Sequence, residues 1–224
     1  MAEIFILNTK NVDEFTFQLM LSQVSVKRRK KAMKYRERKD AVLSLCAEML
    51  IQYGYKKCFA TNMPLSFTEN FYGKPYACET DDFYFNISHS GHYTVCAVAQ
   101  EEVGVDIEEI RWNLKIELAH FFHLKEYQMI MQAEEEQQIP LFYRYWTAKE
   151  SYIKYRGMGL SLGLSTFYLD QGKIYIKEGM PCGIITFYDL LPHYQIALCT
   201  SLSESQNQLS WVSLEKLLSD VVHF

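Results

Sequence analysis

The chain has 224 residues, 49% hydrophobic and 15% aromatic, with a net charge of −4. That composition excludes a disordered polypeptide and supplies a large core in one domain or two. No apolar run of about 18 residues is present to span a bilayer, and the first ten residues lack the basic leader and cleavage site of a signal peptide, so the expectation is a cytoplasmic protein with no membrane partner.

In chain order, Glu3 to Leu7 has the alternation of a strand, and Val12 to Tyr35 reads as helix with a break near Ser25. Asp40 to Tyr53 is a clear helix, because Leu43, Ala47, Leu50 and Ile51 make one apolar stripe. Phe71 to Pro75 is a turn, followed by strands at Phe83 to Ile87, Tyr93 to Val98 and Val103 to Ile107. Ile116 to Phe122 and Lys125 to Gln132 read as helical, Gln137 to Pro140 as a loop, and Leu141 to Tyr155 as a second long helix. The last third alternates strands at Phe167 to Leu169, Ile174 to Ile176, Gly183 to Tyr188 and Gln195 to Cys199 with turns, and Ser213 to Val222 closes as a helix. The six cysteines (46, 58, 78, 96, 182 and 199) show no paired spacing, and most have apolar neighbours, which favours reduced thiols over disulfides or a zinc site.

Charge is unevenly placed. Residues 1–100 carry 13 basic and 10 acidic groups, whereas 101–224 carry 10 and 17. Most of the positive charge lies between Lys27 and Lys39, where nine cations face one acid, Glu37. Such a density suits an anionic counterpart, either nucleic acid or a nucleotide-type cofactor with several phosphates. Nucleic acid is disfavoured, since no recognition motif accompanies the run and the rest of the chain is acidic.

An internal repeat organises the chain. Leu65-Ser66 through Gly73-Lys74-x-Tyr76 recurs 99 residues on as Leu164-Ser165 through Gly172-Lys173-x-Tyr175. His92-Tyr93 with Val95 and Ala97 recurs as His193-Tyr194 with Ile196 and Ala197, and Ala47 to Tyr53 falls where Ala148 to Lys154 stands on the same offset. Three matches in one order point to a duplication. The expected fold is therefore α+β, with two pseudo-symmetric lobes, 1–102 and 103–224, and a ligand site in the cleft between them.

The chemistry concentrates in two stretches. In Gly104-Val105-Asp106-Ile107-Glu108-Glu109 the period-2 pattern puts Asp106 and Glu108 on one face, about 7 Å apart. On a half-buried strand such carboxylates need a cation or donors to offset their desolvation. In Trp146 to Lys154 the four-residue spacing puts Trp146, Glu150 and Lys154 along one side of a helix. Three carboxylates and a lysine suit a hard cation such as Mg²⁺ that shares a phosphate-bearing substrate, and the chemistry this suggests is phosphoryl transfer.

Three segments carry a resemblance: Phe85-Asn86-Ile87-Ser88-His89-Ser90-Gly91, Gly104-Val105-Asp106-Ile107-Glu108 and Trp146-x-x-Lys149-Glu150-Ser151-x-x-Lys154. In order and spacing they resemble the motifs of the Sfp-type (surfactin-type) 4'-phosphopantetheinyl transferases. Phe121-Phe122 with Lys125-Glu126-Tyr127, Gly157-x-Gly159-Leu160-Ser161-Leu162 and Tyr72-Gly73-Lys74-Pro75 extend it over nearly the whole chain. The resemblance implies a duplicated α+β fold with its active site between the lobes. It implies transfer of the phosphopantetheine arm from coenzyme A to a serine of an apo acyl or peptidyl carrier protein, with release of 3',5'-ADP. By the same resemblance Asp106, Glu108 and Glu150 hold Mg²⁺, or Mn²⁺ in its place. Glu150 or a water on the metal takes the serine proton, and Lys154 binds the pyrophosphate. Lys27, Lys30, Ser44, Lys74, Ser88 and His89 contact coenzyme A. Two departures stand out: Leu43 lies where many members carry Arg, and His92 where a basic group is frequent. A relative that binds carriers without catalysis is the other reading, disfavoured because all three acids and Lys154 are present. Residues Trp112 to Tyr127 are expected to shape the carrier surface, and the fused lobes to act as a monomeric pseudo-dimer.

Overall fold

A computed structural model describes residues 1–61, 65–176, 179–202 and 207–221. Its first strand, β1 (Ala2–Asn8), is apolar on both faces. Phe5 and Leu7 enter one hydrophobic cluster while Ala2, Ile4 and Ile6 enter another. A strand with this pattern sits inside a sheet covered on both sides.

Short polar side chains then punctuate the first helices. Asp13 caps α1 (Glu14–Ser22) by accepting from the Thr16 N–H, and Ser25 caps α2 (Val26–Ala32) by accepting from the Arg28 N–H. The break expected near Ser25 is that cap. The long helix α3 (Arg38–Phe59) runs six residues beyond its expected end. A small hairpin of β2 (Phe67–Glu69) and β3 (Pro75–Ala77) follows, then β4 (Tyr84–Ser90) and β5 (Tyr93–Ala99).

The second half opens with β6 (Gly104–Glu109) and a 3₁₀ turn at Ile116–Phe121. It continues with α4 (Leu124–Gln132), α5 (Glu135–Arg156), β7 (Tyr168–Asp170), β8 (Lys173–Tyr175), β9 (Gly183–Phe187) and β10 (Tyr194–Thr200). The loop expected at Gln137 to Pro140 is instead helix, because α5 already starts at Glu135 with Pro140 inside it. Proline forfeits the hydrogen bond to the carbonyl of Glu136. That residue is exposed, where the loss of one bond costs least, while Phe142, Tyr143 and Tyr145 bury the turns that follow.

Beside the two-stranded β2–β3 sheet stand two larger ones: the first, edged by β11 (Asn207–Trp211), is ordered β11-β1-β5-β4, and the second β6-β10-β9-β8-β7. Strand β11, which sequence reasoning missed, pairs in parallel with β1, and α6 (Leu214–Val221) packs on α3. The end of the chain thus crosses back onto the first lobe.

The duplication is visible in the register. Glu3 pairs with Val98 in the first sheet as Gly104 pairs with Cys199 in the second, 101 residues on in both strands. The inner faces of the sheets meet in a shared core of Ile4, Ile6, Val95, Ala97, Val105, Ile107, Ile196 and Leu198. Helix α3 covers the outer face of the first sheet and α5 that of the second. The architecture is α+β in two lobes, with four layers in the order helix, sheet, sheet, helix. Among the six cysteines, none of which is bonded, Cys46, Cys96 and Cys199 are buried, whereas Cys58 and Cys78 are exposed.

Candidate active site

The edge strands β4 and β6, one from each lobe, lie side by side and are joined through side chains. Alternate residues of β4 do the joining, all from one face of the strand. Asn86 Oδ1 accepts from the Val105 N–H at 3.0 Å, and Ser88 Oγ donates to Asp106 Oδ1 at 2.7 Å. Ser90 Oγ donates to Glu108 Oε2 at 3.1 Å and accepts from the Glu109 N–H at 3.0 Å. The Asn-x-Ser-x-Ser pattern therefore stitches the two lobes together and aims the β6 acids at the same time.

Helix α5 closes on the other side of β6. A Cβ at Gly104 would stand 2.0 Å from the Ser151 carbonyl oxygen and 2.4 Å from the Tyr155 nitrogen, so only glycine lets the two backbones approach this closely. This approach brings the expected helical stripe over the acids. The Trp146 indole N–H donates to Glu108 Oε1 at 3.1 Å. Lys154 Nζ donates to Asp106 Oδ1 at 2.7 Å, Ser88 Oγ at 2.8 Å and the Val105 carbonyl at 3.3 Å.

The electrostatics follow from crowding. Burial raises the pKa of Glu108, and the negative charge of Asp106 raises it further. Burial also raises Glu150, helped by Asp106 and Glu108, while Lys154 opposes. Asp106 is 3% exposed, and its second oxygen, Oδ2, is buried without a hydrogen-bonding partner among the described residues. Three carboxylates against one ammonium leave an excess of negative charge in a partly dry pocket, and an orphaned buried oxygen marks where a cation is missed. The donor set, all oxygen, fits a hard divalent ion. No three acidic, histidine or cysteine side chains among the described residues form a ready cage. Magnesium is commonly held by one or two carboxylates with the substrate's phosphates completing the shell, so a full protein cage is not required.

A cleft of about 390 Å³ opens beside this cluster, with Glu150, Ile153 and Lys154 on one wall, Tyr72, Gly73, Lys74 and Pro75 on another, and Arg28 and Lys31 at the basic end. The basic residues differ from those expected. Lys27 lines a neighbouring cavity and is paired with Glu69 at 2.6 Å, and Lys30 is exposed and lines neither. Arg28 is the organised cation: its Nε donates to the buried Glu48 at 3.1 Å and its NH1 to Ser44 Oγ at 3.2 Å. Glu48 also accepts from the backbone N–H of Ser25 at 2.6 Å, so α3 fixes the rotation of α2. Ser44 thus meets the cleft through Arg28. Burial lowers the pKa of His89, the charge of Lys154 lowers it further, and Asp40 and Lys31 act on it from the first lobe with opposite signs. Lys74 lines the cleft with its stem, but its ammonium is held by Glu102 and the Tyr155 and Val103 carbonyls.

Lys149 of the third motif has another job. It is wholly buried, pairs with Glu126 at 2.7 Å and donates to the carbonyls of Leu164 and Phe167. Burial lowers its pKa and raises that of Glu126. The pair ties α4 and β7 to α5 and so steadies the helix carrying Glu150.

Both halves of the chain are similar to known proteins. A family model described as 4'-phosphopantetheinyl transferase superfamily matches residues 102–199, and one described as 4'-phosphopantetheinyl transferase, N-terminal, matches 11–101. The chain is 35% identical over 206 residues to a 4'-phosphopantetheinyl transferase of Bacillus subtilis, covering 89% of this chain and 92% of that one. It is 32% identical to 4'-phosphopantetheinyl transferase Sfp of Bacillus subtilis strain 168, covering 88% and 91%. With 4'-phosphopantetheinyl transferase gsp of Aneurinibacillus migulanus the identity is 34% over 218 residues, covering 95% and 90%. Such identity spans both lobes and the seam between them, and the chain belongs to the 4'-phosphopantetheinyl transferases, enzymes that attach the phosphopantetheine group to carrier proteins.

Proposed function

We propose that the cleft binds coenzyme A and that the seam beside it transfers the phosphopantetheine arm to a serine of an apo acyl or peptidyl carrier protein. The observation that carries this reading is the Asp106–Lys154 pair at the cleft, beside the carboxylates of Glu108 and Glu150. In the reaction the serine oxygen forms a bond to the phosphorus that bears the pantetheine arm, the bond to the bridging pyrophosphate oxygen breaks, and 3',5'-ADP departs. Asp106, Glu108 and Glu150 would hold Mg²⁺, or Mn²⁺, which supplies Lewis-acid neutralisation of pyrophosphate charge.

The chain's own residues do the rest. Glu150 lines the cleft within the acidic cluster, and its carboxylate, or a water held beside it, takes the serine proton as general base. Lys154 places positive charge where the leaving oxygens develop theirs. Arg28 and Lys31, with His89 and Ser44 behind them, face the 3'-phosphate end, and Ser88 orients Asp106 and Lys154 together. The protein works as a cytoplasmic monomer, its lobes divided near residues 102–103, with 207–221 returning to the first.

Substrate dissection tests the assignment. Arg28→Ala with Lys31→Ala should raise the KM for coenzyme A about 10- to 100-fold, as loss of charge-assisted contacts implies, but change that for dephospho-coenzyme A much less. Lys27→Ala with Lys30→Ala should stay within about 2-fold, as surface charges do. Equal losses with both cofactors would remove the 3'-phosphate from the basic end. Chelation should stop turnover and Mg²⁺ or Mn²⁺ restore it; full activity in excess chelator would refute the metal.

A further inference from the structure

The β2–β3 hairpin supplies a whole wall of the cleft, yet it is a separate two-stranded sheet with three-residue strands. Such a hairpin is marginal in water and must be held from outside. Polar contacts hold it on two sides: Glu69 of β2 accepts from Lys27 of α2 at 2.6 Å, and the turn between its strands is tied to the lobe junction. Asn70 Nδ2 donates to the Gly157 carbonyl at 2.8 Å, while its Oδ1 accepts from the N–H groups of Tyr72 and Lys74, each at 2.9 Å. Lys74 reaches from the same turn to Glu102, to the Tyr155 carbonyl at 3.2 Å and to the Val103 carbonyl at 3.5 Å. Glu102 is doubly used, since its other oxygen accepts from the Tyr76 hydroxyl at 3.0 Å.

A lysine ammonium has three N–H donors and no acceptor. The Lys74 ammonium has three protein oxygens within 3.5 Å in a side chain that is 7% exposed, which leaves it little capacity for a phosphate. Lys154 is engaged in the same number of contacts but is 27% exposed, and its partner Asp106 belongs to the acidic cluster, where a bound ligand competes for that carboxylate. Glu102 lies outside the cluster. We infer that Glu102 is a positioning residue for coenzyme A, acting through Lys74 and Tyr76 to dock the hairpin wall onto the C-terminal end of α5. Lys74 is then a latch and not a ligand. The inference rests on the coenzyme A reading of the cleft.

Steady-state kinetics on Glu102→Ala, Glu102→Gln, Lys74→Met and the double variant Lys74→Met, Glu102→Ala test it. Glu102→Ala should raise the KM for coenzyme A about 10-fold, with kcat within about 2-fold and the carrier KM unchanged, as expected for a coupled contact remote from the reacting atoms. Glu102→Gln keeps an acceptor for Tyr76 and for Lys74 and should recover part of the loss. The double variant should be no worse than the worse single variant, because each removes the same latch. If Glu102→Ala proves too unstable, Glu102→Gln and Asn70→Ala carry the same KM comparison. Multiplying penalties would show that Lys74 serves the cofactor directly, and an unaltered KM in both Glu102 variants would show no latch; either overturns the inference while leaving the cleft assignment standing. A wild-type enzyme without saturable dependence on coenzyme A would overturn both.

Discussion

The two lobes place the same strand against the same helix and fill the contact with opposite chemistry. Shifted by 101 residues, Asp106 and Glu108 of β6 correspond to Phe5 and Leu7 of β1, and Glu150 and Lys154 of α5 to Met49 and Tyr53 of α3. Where Lys154 meets Asp106 at 2.7 Å, Tyr53 meets Phe5 edge-on with ring centroids 5.2 Å apart. Phe5, Leu7 and Met49 are core residues of one cluster, with Tyr53 packed against it. One lobe thus shows what the framework is when only packing is asked of it, and the other shows it converted to a charged site. Even the close approach of helix to strand is achieved twice, by Gly54 on the helix in the first lobe and Gly104 on the strand in the second.

That pairing yields contrasts that can be broken one at a time. The largest effect belongs to Gly104→Ala, whose new Cβ meets backbone atoms of α5 that cannot move aside. It should abolish soluble, cooperatively folded protein, whereas Gly54→Ala meets the Val98 side chain at 2.7 Å and should cost about 1–3 kcal/mol as an overpacked contact. Equal tolerance in chemical denaturation would undo the distinction.

Next come the matched positions themselves. Asp106→Ala, Glu108→Ala and Glu150→Ala should each lower turnover by about 100-fold or more, the scale of losing an electrostatic stabiliser, with the fold retained. Phe5→Ala should do the reverse, losing about 3–5 kcal/mol of stability while each folded molecule keeps its turnover. Circular dichroism melts beside single-turnover rates would separate the two.

A third contrast concerns buried charge. At equivalent positions Glu48 and Lys149 are both buried, each tying an outer element to its long helix. Lys149→Met leaves Glu126 buried alone and should cost about 3–5 kcal/mol, and adding Glu126→Leu should return much of it. Failure of the second change to help would mean that the pair does more than satisfy itself.

The smallest effect is one of pH. Without divalent cation, Glu108 and Glu150 have pKa values raised above those of the unfolded chain. Their stabilising contribution is therefore complete below the ordinary carboxylate range and lost as pH rises through the raised values. Thermal stability of the metal-free protein should fall as pH rises above the ordinary carboxylate range, less so in Glu108→Gln with Glu150→Gln; an equal slope in that double variant would place the effect elsewhere.

Much of this was legible because it is periodic. The alternation of Val105 and Ile107 with Asp106 and Glu108, and the fourfold spacing of Trp146, Glu150 and Lys154, translate directly into faces. The phase of α2 was not legible. With nine cations in thirteen residues there is little apolar contrast to show which side turns inward, and the choice of Arg28 and Lys31 over Lys27 and Lys30 depends on the Ser25 cap and on Glu48, 20 residues away from Arg28. Lys149 was hidden for another reason, since a lysine is rarely fully buried and its partner Glu126 lies in another helix. Strand β11 reads Asn-Gln-Leu-Ser-Trp, mostly polar, because it lies at a sheet edge, where Leu209 is its one residue packed against the shared core.

Intact-mass measurement of an apo carrier protein after incubation with coenzyme A and Mg²⁺ tests the central claim most directly. The account predicts that the wild-type chain adds one phosphopantetheine mass at the carrier serine, and that Asp106→Ala, folded to the same extent, adds it about 100-fold more slowly or worse. An unmodified panel of acyl and peptidyl carriers, or modification by Asp106→Ala at the wild-type rate, would contradict it.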